Sequence, residues 1–245
     1  MPIELQSVTF VSRDPERDAE FWGAILGRSG ESDAGGTLLA GQGGQVGIRF
    51  AAGPSHGSAR NPLHLHLSEV DGRGQADTIA ACVKLGARLR GNGHVPENSY
   101  AAMADVVGDE FCVIEDGNGY LAGCGPLGEV TCEGTRAVGH FWSDALAWPL
   151  VWEVGEETAI QSPAGGTKIS WGGEPVGPEP APERQYFVLT VAHREFDDEV
   201  DRLLALGASE RATASGGMTL SDPDGRGFVL RAVDAERAPS RRERP

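Results

Sequence analysis

Residues His64–Ala87, HLHLSEVDGRGQADTIAACVKLGA, align without a gap on Gln185–Ala208, QYFVLTVAHREFDDEVDRLLALGA. Both stretches open on a strand-like run, continue as a helix and stop at the same Leu-Gly-Ala. The strands that follow recur as well: MADVVGDEFCVIE from Met103 and MTLSDPDGRGFVLRA from Met218. Two weaker copies carry a Phe-Trp pair on a helix, Phe21-Trp22 and Phe141-Trp142. The chain therefore reads as four small units in the order A, B, A′, B′. A repeat puts the same chemical position into each unit, so each can be searched in turn for a ligand-binding or catalytic group.

Unit A opens on a strand over Leu5–Val11, with Ser7, Thr9 and Val11 on one face and Val8 and Phe10 on the other. Asp14-Pro15 is a helix start, because the carboxylate caps free N–H groups and proline fits the first turn. Ala19, Trp22, Ile25 and Leu26 mark the helix's buried face, and Gly27 ends it. In unit B the spacing of Ala76, Ile79, Ala80 and Val83 predicts the buried face, with Gly86 as the stop. In A′ the helix carries Val138, Phe141, Trp142 and Ala145 on one face and is ended by Pro149. In B′ it carries Phe196, Val200, Leu203 and Leu204. Each unit reads as strand, helix, then two or three strands. One unit is too small to bury its own sheet face, whereas two can curl their sheets around a hollow with helices outside. The fold class is α+β. The turn-rich stretch Asp116–Gly128 suggests two domains, 1–124 (modules 1–60 and 61–124) and 125–235 (modules 125–180 and 181–235), with 236–245 as a flexible tail.

Lys and Arg number 21 against 36 Asp and Glu, a formal net charge of −15. Such a surface repels phosphate backbones and argues against nucleic-acid or anionic-membrane partners. No apolar run approaches the roughly 18–20 residues that span a bilayer. The four cysteines form no C-x-x-C pair and no apolar leader follows Met1, which points to a reducing cytoplasm.

The runs SVTFVSRDPERDAEFWGAILG, HLHLSEVD, LGA and GDEFCVIED resemble the vicinal oxygen chelate superfamily, which includes glyoxalase I, extradiol dioxygenases and bleomycin-resistance proteins. SPAGGTKISW, DDEVDRLLALGA and LSDPDGRGFVL resemble the glyoxalase-like domains common in actinobacteria. The resemblance covers nearly the whole chain. It implies βαβββ modules paired into two half-open cups that bind a small molecule, often over a divalent metal. In that family one His, Gln or Glu from the first strand and one from the last strand of each paired module usually hold the metal. Matched residue by residue, those positions here are Ser7, Gly47, His64 and Cys112 in the first pair. In the second pair they are Thr131, Ser170, Gln185 and Val229. His64 and Gln185 alone are standard ligand types, and one imidazole does not hold a catalytic ion against water.

His64 and His66 alternate on one strand face and can both point into a cup, where an imidazole titrates near neutral pH. Cys112 is either a thiol nucleophile beside His64 or apolar filler. Trp152 and Trp171 lie on strands where an aromatic ring can stack on a planar ligand or pack in a core. Glu110 is a fallback metal ligand with His64 and Cys112. Gly41–Gly47 lacks the Lys-Ser/Thr of a phosphate loop, and no G-x-S-x-G occurs. The expected function is small-molecule binding by Ser7, His64, His66, Cys112, Trp152, Trp171 and Gln185, with no cofactor and no family-type metal, in a monomer or homodimer. The alternative is a lyase, isomerase or dioxygenase that uses Zn, Ni, Fe or Mn to polarise vicinal oxygens.

Overall fold

In the computed structural model, residues 3–54, 61–70, 72–91, 99–177, 184–214 and 217–234 are described. The expected tail, 236–245, lies outside them, as do parts of the loops 51–61, 90–100 and 172–183. Four modules follow one another along the chain. Module 1 is β1 (Glu4–Ser12), α1 (Pro15–Leu26), β2 (Gly30–Asp33), β3 (Gly36–Leu39) and β4 (Gly47–Ala52). Module 2 is β5 (Leu63–Leu67), α2 (Gln75–Lys84), β6 (Arg88–Leu89), β7 (Ala101–Ala104) and β8 (Glu110–Val113). Module 3 is β9 (Leu127–Cys132), α3 (Arg136–Leu146), β10 (Leu150–Val154), β11 (Glu157–Gln161) and β12 (Lys168–Trp171). Module 4 is β13 (Gln185–Ala192), α4 (Phe196–Ala205), β14 (Ser209–Ala214), β15 (Gly217–Ser221) and β16 (Gly227–Val233).

The helix signals act as physical chemistry requires. Asp14 Oδ1 accepts the Arg17 N–H at 3.2 Å, and Gly27 closes α1 at φ 66°. Helix α3 ends at Leu146, with Ala147 at φ 52°, and Pro149 keeps it from going further, because a proline disfavours helical geometry in the residue before it. The expected buried face of α2 needs correction. In α2 the buried residues are Thr78 and Cys82, while Val83 is 48% exposed. Gln75 fixes this rotation: its amide donates to the carbonyls of Ser99 (2.8 Å) and Val113 (3.0 Å). The face Gln75–Thr78–Cys82 is thereby drawn inward and the Ala76–Ala80–Val83 stripe is left outside.

The modules build two eight-stranded sheets, in the orders β14-β15-β16-β13-β1-β4-β3-β2 and β10-β11-β12-β9-β5-β8-β7-β6. Module 1 therefore shares a sheet with module 4, through antiparallel β1 and β13, and module 2 with module 3, through β5 and β9. Sequence order suggested that consecutive modules share a cup, and the strand pairing corrects this. Both arrangements join one A-type unit to one B-type unit, so the internal repeat is equally consistent with either.

Consecutive modules are joined instead by their helices. Trp22 of α1 packs edge-on to Phe111 of β8, with ring centroids 5.0 Å apart, and its indole N–H donates to Asp105 at 3.1 Å. Trp142 of α3 repeats the arrangement against Phe228 of β16, at 5.0 Å, and Asp222, at 3.3 Å. Two glutamines link the sheets. The Gln185 amide donates to the Leu63 carbonyl (3.0 Å) and accepts the Leu63 N–H (2.9 Å), and Gln45 makes the same pair with Leu127 (3.2 and 2.9 Å). The buried side chains form a continuous hydrophobic core across the four modules.

Candidate functional site: the concave face of the second sheet

Strand β5 alternates strictly. Leu63, Leu65 and Leu67 are buried in the core, and His64 and His66 are half-buried on the opposite face. The strand register carries that face across the sheet in two neighbouring rows. One row runs Trp152, Ala159, Ser170, Thr131, His64. The other runs Gln161, Lys168, Glu129, His66, Cys112, Ala102.

The second row holds the charges. His66 Nδ1 lies 2.8 Å from Glu129 Oε2, and the Tyr120 hydroxyl donates to Glu129 Oε1 at 2.8 Å. Burial works against a charge on His66, but its hydrogen bonds to Cys112 and Glu129 outweigh this and push its pKa up to about 9. Burial likewise opposes a charge on Glu129, yet His66 holds the carboxyl below the usual carboxylate range. Burial, together with the Glu129 charge, raises the Tyr120 phenol above its ordinary value. At neutral pH the group is an imidazolium, a carboxylate and a phenol. Lys168 completes it: its ammonium donates to the Tyr120 carbonyl and sits 4.0 Å from the centre of the Tyr120 ring.

Beside these groups opens a cavity of about 310 Å³, lined by Tyr120, Glu129, Thr131, Trp152, Glu157 and Ser170 among others. Trp152, 42% exposed, stands edge-on to Tyr120 with ring centroids 5.6 Å apart. The Ser170 hydroxyl donates to Thr131 Oγ1 at 3.1 Å on the floor. The wall is aromatic and the floor is polar.

Of the residues singled out in the sequence, this face brings together His64, His66, Cys112 and Trp152. Trp171 reaches the cavity edge, but its ring is buried (2% exposed) and packs where a Cβ on Gly134 would lie 2.4 Å from it. Ser7 is on the other sheet. Both polar atoms of the Gln185 amide are engaged by Leu63, so this side chain acts as a tie between the sheets. Glu110 faces Arg90 at 3.5 Å. Sequence reading missed Glu129, Tyr120 and Lys168. A signal for Glu129 existed, since it alternates with Thr131 and is a charged residue in an otherwise apolar strand. Tyr120 lies in a turn, where no periodicity marks it.

The side chains do not fit a divalent ion. His66 bridges Glu129 and Cys112, its neighbours on the two flanking strands, instead of converging with them on one point. The next place in that row holds the cationic Lys168. Among the described residues no three His, Cys, Asp or Glu side chains are grouped to hold a metal. The corresponding positions of the first sheet, Gly47, Ser7, Val188 and Val229, offer one hydroxyl.

Paired βαβββ modules with helices outside and a polar concave face define a vicinal oxygen chelate protein. The chain belongs to the glyoxalase-like domain family, whose model matches residues 7–114 and 129–231. Glyoxalase I from Zea mays is similar in fold, at a TM-score of 0.63 and 14% identity over 94% of this chain and 92% of that one. A candidate dioxygenase from Bacillus subtilis is similar at 0.60 and 15% identity, over 93% and 84%. No curated protein matches the chain. Among the described residues no helix is long and apolar enough to cross a membrane.

Proposed function

We propose that the protein binds a small, largely planar aromatic molecule in the cup of the second sheet, without a family-type metal. The observation that carries this reading is the cavity itself, in which Trp152 and Tyr120 stand over Glu129, Thr131 and Ser170. The rings supply apolar, stackable surface, and the few polar groups fix orientation. The polarity was expected from His64, but Glu129 is the better candidate, because it keeps a negative charge at neutral pH and lines the cavity. A carboxylate beside two hydroxyls favours a ligand that presents hydrogen-bond donors or a positive charge. His66, beside it in the same row, neutralises part of that charge and holds the carboxylate in place.

Calorimetric titration of the full chain with benzylamine and with catechol tests the reading. Binding of at least one probe is expected, weakened about tenfold by Trp152→Ala, the loss of roughly one aromatic contact with its buried area. Titration with nickel, cobalt and zinc is expected to give no tight site. Binding indifferent to Trp152→Ala, or one tightly held divalent ion in this cup, refutes the proposal.

A further inference from the structure

The concave face of the other sheet carries a different chemistry, independent of the cup just described. Ser7 and Thr9 project from β1 on the side away from the core residues Val8 and Phe10, and neither has any exposed surface. Arg49 of β4 stands opposite Thr9 in the strand register and is 3% exposed. Ser7 Oγ, Thr9 Oγ1 and Arg49 Nε all lack a hydrogen-bond partner. Buried polar groups are nearly always satisfied, and three orphans on neighbouring positions of one face call for an explanation.

The remainder of the Arg49 guanidinium is accounted for. Asp33 takes Nη1 and Nη2 at 2.7 and 3.0 Å, which orients the fork and leaves the Nε edge directed elsewhere. A second guanidinium is close by. Arg49 Nη1 and Arg231 Nη1 lie 3.2 and 3.9 Å from the same point, the place where Gly35 would carry a Cβ. Asp33 is held below its usual pKa first by Arg49, with a further contribution from Arg231. Asp33 is itself half-exposed, and Glu31 on the same outer strand is exposed. The buried end of the patch is therefore an arginine edge with two hydroxyls, in a chain of net charge −15 that otherwise disfavours anions.

We propose that Ser7, Thr9 and Arg49, with Arg231 at the rim, form a second binding site, for the oxyanion of a small carboxylate or phosphate. Guanidinium N–H groups and hydroxyls are donors matched to such oxygens. An oxyanion supplies the hydrogen-bond acceptors that these donors lack. The two cups then differ in kind, one aromatic and acidic, the other built from donors.

The test is titration of the full chain with inorganic phosphate and with benzoate, in wild type and in Thr9→Val, Arg231→Gln and Trp152→Ala variants. Thr9→Val keeps the shape and removes the hydroxyl. Arg231→Gln changes a residue outside the core, so both variants should fold even if Arg49→Gln does not. The proposal expects one of the two anions to bind, with affinity falling about tenfold in Thr9→Val and in Arg231→Gln, as for lost hydrogen bonds to a charged ligand. It expects no change in Trp152→Ala. Preference for phosphate or for benzoate identifies which oxyanion the site takes. The proposal is overturned if neither anion binds. It is overturned equally if benzoate binding disappears in Trp152→Ala and survives in Thr9→Val, since the ligand would then occupy the aromatic cup.

Discussion

Trp142→Ala is expected to destabilise the protein by about 3–5 kcal/mol, the usual range for deleting a buried aromatic side chain. The ring is 2% exposed and packs against Phe141, Phe187 and Phe228 with centroids 5.3, 5.1 and 5.0 Å away. Phe187 and Phe228 belong to β13 and β16, so the ring fastens the helix of module 3 to the sheet of module 4. The substitution also removes the indole N–H from Asp222, a buried carboxylate that otherwise relies on the backbone N–H groups of Asp224 and Arg226. Trp142→Phe separates the two contributions. It keeps most of the packing and is expected to cost about 1.5–3 kcal/mol, the scale of one hydrogen bond to a charged group. Urea denaturation followed by circular dichroism checks both values. A Trp142→Ala midpoint equal to wild type would show that this cluster does not hold the halves of the module pair together.

Stability is expected to fall as pH rises from about 5 to 9. Burial, helped by the charges of Asp105, Asp109 and Asp14 and opposed by a hydrogen bond with Ser12, pushes Asp18 up to about 7. Burial also pushes Asp105 and Asp222 up to about 6, with Asp109 and Asp224 adding to it. An acid whose folded pKa is raised binds more protons folded than unfolded, so its penalty grows from the ordinary carboxylate range up to the raised value. His66, raised to about 9, adds in the same direction. Its contribution is full below about 6.5, its unfolded value, and is lost as pH climbs through 9. Glu129, whose pKa is lowered, acts oppositely but only in acid, losing its stabilisation as pH drops below the carboxylate range. The optimum should therefore lie near the ordinary carboxylate range, at about pH 4. The unfolding free energy at pH 9 should be lower by about 3 kcal/mol or more, since each unit of pKa difference is worth about 1.4 kcal/mol. Denaturation at pH 5, 7 and 9 measures this, and Asp18→Asn should flatten the slope between pH 5 and 7. A stability that stays level or rises over that range would contradict the assignment.

Much of the scaffold was legible in the residues. The alternation of β1 and β5, the Asp14-Pro15 start and the Gly27 stop are local rules, and the chain obeys them. The recurrence of Leu-Gly-Ala marked where α2 and α4 end. What local rules do not contain is partnership. Modules 1 and 4 share a sheet because β1 pairs with β13, and no pattern within either strand distinguishes that from pairing with β5. The rotation of α2 likewise depends on Gln75 reaching carbonyls at Ser99 and Val113, far along the chain. The site followed the same division. His66 and Cys112 were visible, whereas their chemistry comes from Glu129 on the neighbouring module and from Tyr120 in a turn. Matching positions one by one to a metal-binding pattern directed attention to Thr131 and Ser170 and past Glu129, two residues before Thr131 on the same strand and in the neighbouring row.

The central proposal is that a small aromatic molecule binds in the cup of the second sheet. The most direct measurement follows the tryptophan indole N–H resonances of uniformly nitrogen-15-labelled protein as benzylamine or catechol is added. Trp152, at the cavity mouth, should shift progressively while the buried Trp22 and Trp142 stay in place. A Trp152 signal unmoved by either probe, with shifts elsewhere, would contradict the account.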